Sequence, residues 1–329
     1  MADLLLVLEA KAAGLRMAVC TARDLSSAAS DRHGLSAGSA AALAQALSGS
    51  LLIAGTDRTG QKGTRIDVQL ECGGPLRGLL VDADASGAVR GLVRVNGLDR
   101  LGALVEGRGQ ATAGSAESRE PLGRFDARPL LATGLDERAG LISVLRAQPG
   151  DESPHRAAFP FAGADLAAAL TLFLRNERRL GGELALEVLH RPGEPLAAVA
   201  GVLLWPDSED EAEQVRSLGK PLREGVLHRA MVSAAEAGAP GNGHALAQEL
   251  ATALGLGPLR LLTEVRPRFA CRCSRERVVR ALATLGVAEL KDMASRDGGA
   301  SATCDFCAAV YQISATELLE LAGDEPARA

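Results

Sequence analysis

Apolar and polar residues alternate along one stretch of this chain with a period of two. "TRIDVQLEC" alternates cleanly, "LRGLLVDAD" follows a Gly73-Gly74-Pro75 turn, and "GAVRGLVRV" follows Ser86-Gly87. Such alternation belongs to half-buried strands, and the short turn-forming breaks predict an antiparallel meander. "LRMAVCTA" (Leu15 to Ala22) and "LISVLRA" read as further strands. "ELALEVLH" and "LAAVAGVLLW" read as a hairpin across Arg191-Pro192-Gly193-Glu194-Pro195. Apart from the Leu15–Ala22 strand, residues 1 to about 56 read as mainly helical. "SAGSAAALAQALSGSLLIAG" (Ser36 to Gly55) predicts a helix opened by Ser and closed by Gly. A second helix is expected over Gly163 to Arg179, with Asp165 in its first turn and Arg178 and Arg179 in its last. Residues 106 to 123 are small, polar and glycine-rich, which predicts a surface loop or insertion.

The pattern changes after Trp205. An acidic start, "PDSEDEAEQ", leads into short helical patterns over 208 to 256, separated at Gly219-Lys220-Pro221 and at Ala239-Pro240-Gly241-Asn242-Gly243. Large apolar residues are sparse there, so these helices need a partner surface and should be the least stable ordered part. The division expected is an N-terminal domain over 1–205, a metastable helical linker over 206–262 and a small C-terminal domain over 263–329. The fold class is α+β: a mixed helix and antiparallel-sheet domain, a helical linker, and a small C-terminal domain.

Charge narrows the function. The net charge is −5 with both signs interspersed, which speaks against the basic face of a nucleic-acid binder. The longest apolar run, Leu196 to Trp205, is half of the roughly 20 residues that a spanning helix needs. The N-terminus has no basic segment ahead of its short apolar run, so no secretory signal is read and a cytoplasmic location is expected.

Four of the six cysteines crowd into two pairs: Cys271 and Cys273 as C-x-C, Cys304 and Cys307 as C-x-x-C. In a reducing compartment such pairs point to metal or redox chemistry. A unit of fewer than sixty residues with few large apolar side chains also needs a staple. Four thiolates suit one tetrahedral Zn²⁺ per chain. Ser274 is placed to cap a helix beside the first pair, and Ser314-Ala315-Thr316-Glu317 is a capping box. Arg272, Arg275 and Arg277 are placed to offset the charge of such a centre. The residues alone leave two roles open: a permanent structural staple and an oxidisable switch.

"FACRCSRER", "ALATLG", "ELKDM", "DGG" and "CDFC…Y" resemble the C-terminal domain of the heat shock protein 33 family, the redox-regulated holdase chaperones. "GLSAGSAAALAQAL", "RIDVQLECGGPLRGLLVDADASGAVRG" and "PHRAAFPFAGADLAAALTLFLRNERR" resemble its N-terminal part. His155 stands where the family usually has an aromatic. The resemblance implies that Cys271, Cys273, Cys304 and Cys307 hold Zn²⁺ when reduced. It implies Cys271–Cys273 and Cys304–Cys307 disulfides on oxidation, with loss of zinc and unfolding of the linker. Unfolding client proteins would then be held without ATP, so no enzymatic activity is expected. A second copy of the chain is the other partner expected of the oxidised form; nucleic acid and membrane are not. The competing reading is an interaction or nucleic-acid-binding protein with a purely structural zinc ribbon.

Other signals are weaker. Gly34-Leu35-Ser36-Ala37-Gly38 fits G-x-S-x-G, but no core strand precedes it, which makes Ser36 a helix cap rather than a nucleophile. Cys20 and Cys72 lie on strand patterns and read as buried thiols. The five histidines (33, 155, 190, 228 and 244) are far apart in sequence and suggest no cluster.

Overall fold

The computed structural model describes residues 2–56, 64–96, 122–131, 140–148, 150, 154–161, 165–176, 181–237 and 242–323. The glycine-rich stretch up to Pro121 lies outside them, as do Gly163, Arg178 and Arg179. The chain divides into two compact units, Met1–Ala270 and Cys271–Ala329.

The first unit opens with β1 (Leu5–Ala10) and β2 (Leu15–Thr21), joined by a single 3-10 turn and Gly14 at φ +59°. β1 corrects the expectation of one strand in this region. "LLVLEA" is buried at nearly every position, so it shows no alternation to mark it as a strand. Helices α1 (Arg23–His33) and α2 (Ala37–Ala54) follow. The expected meander is β3 (Arg65–Glu71), β4 (Gly78–Asp84) and β5 (Ala88–Val93). Ile66, Val68 and Leu70 point inward while Arg65, Asp67 and Gln69 are half-exposed. Next come the short β6 (Gly123–Arg124), β7 (Gly140–Ala147), β8 (His155–Phe161) and helix α3 (Leu166–Asn176). The hairpin β9 (Glu183–Arg191) and β10 (Glu194–Pro206) forms as expected. Helices α4 (Ala212–Arg223), α5 (Val226–Glu236) and α6 (Gly243–Leu254) lead to β11 (Arg260–Val265) and β12 (Arg268–Phe269).

These strands make two six-stranded sheets, in the orders β11-β1-β2-β10-β9-β6 and β12-β5-β4-β3-β7-β8. All their pairings are antiparallel except β12 with β5. Helix α2 packs against strands of both sheets, and every residue from Gly38 to Ala54 is buried. It is 18 residues long and apolar enough to cross a membrane by length and composition. It is instead the central helix of a core, and a helix covered all round is apolar all round. Its small residues allow close approach: a Cβ on Gly49 would lie 2.6 Å from Leu170 Cδ1.

The first sheet has a second buried face. β9 sends Leu184, Leu186 and Val188 into the α2 core, while Leu189 joins the second core with Leu6, Met17, Val202 and Leu204. Helices α4 to α6 cover that second core with Val215, Leu222, Leu227, Met231, Leu246 and Leu250. The described residues of 206–262 thus belong to the first compact unit. α4 runs unbroken through Gly219-Lys220-Pro221, where a break was expected. Pro221 sits near the C-terminal end, and the helix stops only ahead of Gly225 at φ +84°. Gly219 serves close approach instead, since a Cβ there would lie 2.2 Å from Glu183 Oε2.

The second unit holds α7 (Arg275–Leu282), α8 (Val287–Arg296), the hairpin β13 (Gly299–Thr303) with β14 (Val310–Ser314), and α9 (Ala315–Leu321). Its buried apolar cluster is Leu290, Ala294, Ile313, Leu318 and Ala322. Two alanines among five residues make a core too small to carry a domain of this size alone. The architecture is α+β, with a small cysteine-bearing unit at the C-terminal end.

Candidate metal centre

Cys271 and Cys273 lie in the extended stretch between β12 and α7. Ser274 caps α7, its Oγ accepting from the Arg277 N–H at 3.3 Å. Arg277 donates back to the Arg272 carbonyl at 3.1 Å and so fixes this stretch on its helix. Cys304 and Cys307 occupy the tip of the β13–β14 hairpin. There the Cys304 N–H donates to the Ala309 carbonyl (2.9 Å), and the Cys307 and Ala308 N–H groups donate to the Cys304 carbonyl (3.2 and 2.8 Å). This tight turn holds Ala308 at φ +57°, the left-handed region that normally selects glycine.

Folding brings all four Sγ atoms within 4.8 Å of one another. Cys271 and Cys304 are 3.7 Å apart, Cys273 and Cys307 3.3 Å, and none of the four is in a disulfide. Four sulfurs at about 2.3 Å around one tetrahedral ion would be about 3.8 Å apart. The donor set and its spacing therefore fit a single metal ion. Cys307 is buried and the other three are half-buried.

Burial pushes the Cys304 and Cys307 thiols up, Cys307 to about 12, against backbone N–H groups of Phe306 and Ala309 that pull the other way. With no cation these thiols keep their protons, and a metal would have to displace them. The Tyr311 hydroxyl donates to Cys273 Sγ at 3.0 Å, and that bond raises the phenol to about 12. Tyr311 belongs to the "CDFC…Y" pattern, but its contact with a sulfur 38 residues earlier has no sequence signal.

The arginines brace the frame. Arg275 bonds the Gln312 carbonyl (3.3 Å) and the Glu317 carboxylate. The Ser314–Glu317 capping box forms. The Ser314 N–H, Arg275 and the Ser314 hydroxyl together hold Glu317 down to about 2. α7, β14 and α9 are thereby tied together around the cysteines.

The remaining candidates are elsewhere. Ser36 caps α2, with Oγ 3.1 Å from Ser39 Oγ. Cys20 and Cys72 are buried in the first core, where burial pushes both thiols up. His155 packs its ring 6.4 Å from that of Phe173, and His244 meets Glu264 at 3.0 Å.

The family model described as Hsp33 protein matches residues 3–314. The "33 kDa chaperonin" of Rippkaea orientalis is 31% identical over 98% of this chain and 97% of its own. That of Synechococcus elongatus is 28% identical over 98% of both. The crystal structure of the Thermotoga maritima 33 kDa chaperonin, a heat shock protein 33 homologue, superposes with a TM-score of 0.70. It covers 98% of each chain at 19% identity, a likeness of fold. By sequence over nearly its whole length, this chain belongs to the Hsp33 protein family.

Proposed function

We propose that this Hsp33-family member is a chaperone of the redox-regulated, ATP-independent holdase kind. Unfolding proteins would be its clients. The observation that carries this reading is the cage of four reduced sulfurs in a unit whose own apolar core is minimal. Cys271, Cys273, Cys304 and Cys307 would hold one Zn²⁺. When bound, the ion supplies the charge that keeps four thiolates together, on the order of 10 kcal/mol in zinc-finger peptides.

Oxidation acts on the sulfurs. One thiolate attacks a peroxide oxygen, giving a sulfenic acid and hydroxide; a second thiolate displaces hydroxide and closes a disulfide. Each disulfide takes two electrons from its pair. The family resemblance supports Cys271–Cys273 and Cys304–Cys307 as the products. The distances alone do not choose, because all four sulfurs lie within 4.8 Å. Two disulfides leave no thiolate donors, so the small unit loses its staple.

The chain reaches Cys271 two residues after β12, past Ala270, whose N–H donates to the Val89 carbonyl at 2.8 Å. Loss of order in the second unit frees this anchor. Helices α4 to α6, the 206–262 linker, then lift from the first sheet and uncover its second apolar face for clients. The three-part division into 1–205, 206–262 and 263–329 describes this working cycle. A cytoplasmic location suits thiols that stay reduced until stress, and the uncovered face also suits a second copy of the oxidised chain.

The test is zinc content and aggregation suppression measured on one sample, before peroxide, after it and after re-reduction. Zinc release with a reversible gain of suppression is expected. Zinc retained under peroxide would favour a permanent structural ribbon and sink the switch.

A further inference from the structure

We propose that Tyr311 is a positioning residue that restrains the reactivity of Cys273. The inference rests on the redox reading above and adds a specific determinant to it. Tyr311 is the chain's sole tyrosine. It sits on β14 opposite Ala302 of β13, on the hairpin whose tip carries Cys304 and Cys307. Its hydroxyl reaches across to the other pair and donates to Cys273 Sγ at 3.0 Å. The hairpin that presents one pair of thiols thus holds a sulfur of the other.

A hydrogen bond to a thiolate draws electron density from the sulfur lone pairs, and such outer partners both orient a metal ligand and tune it. When peroxide oxidises Cys273, a sulfur lone pair moves to a peroxide oxygen, the O–O bond breaks and hydroxide leaves. Tyr311 keeps its proton throughout. The hydrogen bond stabilises the lone pair that must be given up, so it slows this attack. Tyr311 accordingly sets how much oxidant the first pair withstands.

The test compares wild type with Tyr311→Phe, both as the full chain, reduced and loaded with zinc or cobalt(II). Metal content is expected to stay at one ion per chain. In the cobalt form the sulfur-to-metal charge-transfer band is expected to move to longer wavelength, because the sulfur becomes the better donor. Mass mapping after limited peroxide is expected to show Cys273 oxidised roughly five- to tenfold faster, the rate equivalent of one hydrogen bond. Tyr311→His, which returns a ring N–H, should restore part of both properties. An unmoved band with an unchanged Cys273 rate would overturn the proposal. Failure of both variants to load metal would also overturn it, by making Tyr311 a folding residue. A moved band and faster oxidation, without client binding by the oxidised wild type, would leave Tyr311's role standing and remove the chaperone reading.

Discussion

Arg223 of α4 brings a guanidinium nitrogen to 3.6 Å from Glu183, a carboxylate only 2% exposed on the face of β9 that α4 covers. Arg175 of α3 holds the other oxygen at 2.6 Å. Helix α4 therefore docks on a buried charge, with Gly219 as the point of closest approach. Gly219→Ala should loosen α4 by about 1–3 kcal/mol of overpacking, more than the roughly 1 kcal/mol gained in helix propensity. Faster hydrogen exchange over 212–254 in the reduced, metal-loaded protein is expected, with β3 to β5 unchanged. Equal exchange in both proteins would show that Glu183 simply moves aside.

Cys304→Ser removes one of four sulfurs from the cage. Zinc stoichiometry should fall well below one per chain, and exchange protection over 271–321 should collapse, because five buried apolar residues cannot replace the metal. Retained zinc and retained protection together would defeat the site assignment.

Cys20 and Cys72 lie in the first core and outside the four-sulfur cage. The double variant Cys20→Ala, Cys72→Ala should lose roughly 1–3 kcal/mol of stability through small cavities. It should still release zinc and gain client binding on oxidation. A folded double variant with neither response would mean that the switch lies elsewhere.

Ala308 carries the left-handed backbone of the C-x-x-C turn at a strain of about 1–2 kcal/mol. Ala308→Gly should relieve it. Zinc affinity, measured by chelator competition, is expected to rise roughly five- to thirtyfold for that energy, and the peroxide threshold should rise with it. Weaker binding would show that the freedom glycine adds to the unfolded chain outweighs the strain.

Asp3 accepts from the Leu25 and Asp24 N–H groups at 2.7 and 3.2 Å, and burial raises its carboxyl to about 6. The folded value exceeds the unfolded one. Its stabilising contribution is therefore complete below about pH 4 and lost as pH rises through about 6. Asp3→Asn keeps an acceptor oxygen without the charge. Denaturant titrations between pH 4 and 7 should show a flatter pH dependence for Asp3→Asn. An identical slope in both proteins would place the charge in water.

Much of this was legible in sequence, for identifiable reasons. β3 alternates because one face meets α2 and the other meets water. The cysteine pairs were legible because their spacings are rare outside metal and redox sites. β8, β11 and β12 were not: β8 carries Pro160 on a sheet edge, β11 has Leu261 exposed at an edge, and β12 is two residues long. Tyr311 illustrates the limit at the site, because its contact depends on how the hairpin folds back toward Cys273. Gly219 looked like a helix breaker because the carboxylate it accommodates lies 36 residues earlier.

β12 lies at one end of its sheet and closes the open side of β5 with two residues, the Arg268 and Ala270 N–H groups donating to the Gly87 and Val89 carbonyls. Phe269 is pinned there by Arg32, 5.5 Å over its ring, and by the edge of His33. Such a short plug is a weak guard against strand-to-strand polymerisation. Once withdrawn, it would bare backbone donors and acceptors that an extended peptide could match by adding a strand. The same two residues would then be a removable stopper over a main-chain docking edge, one that reads backbone and not side chains.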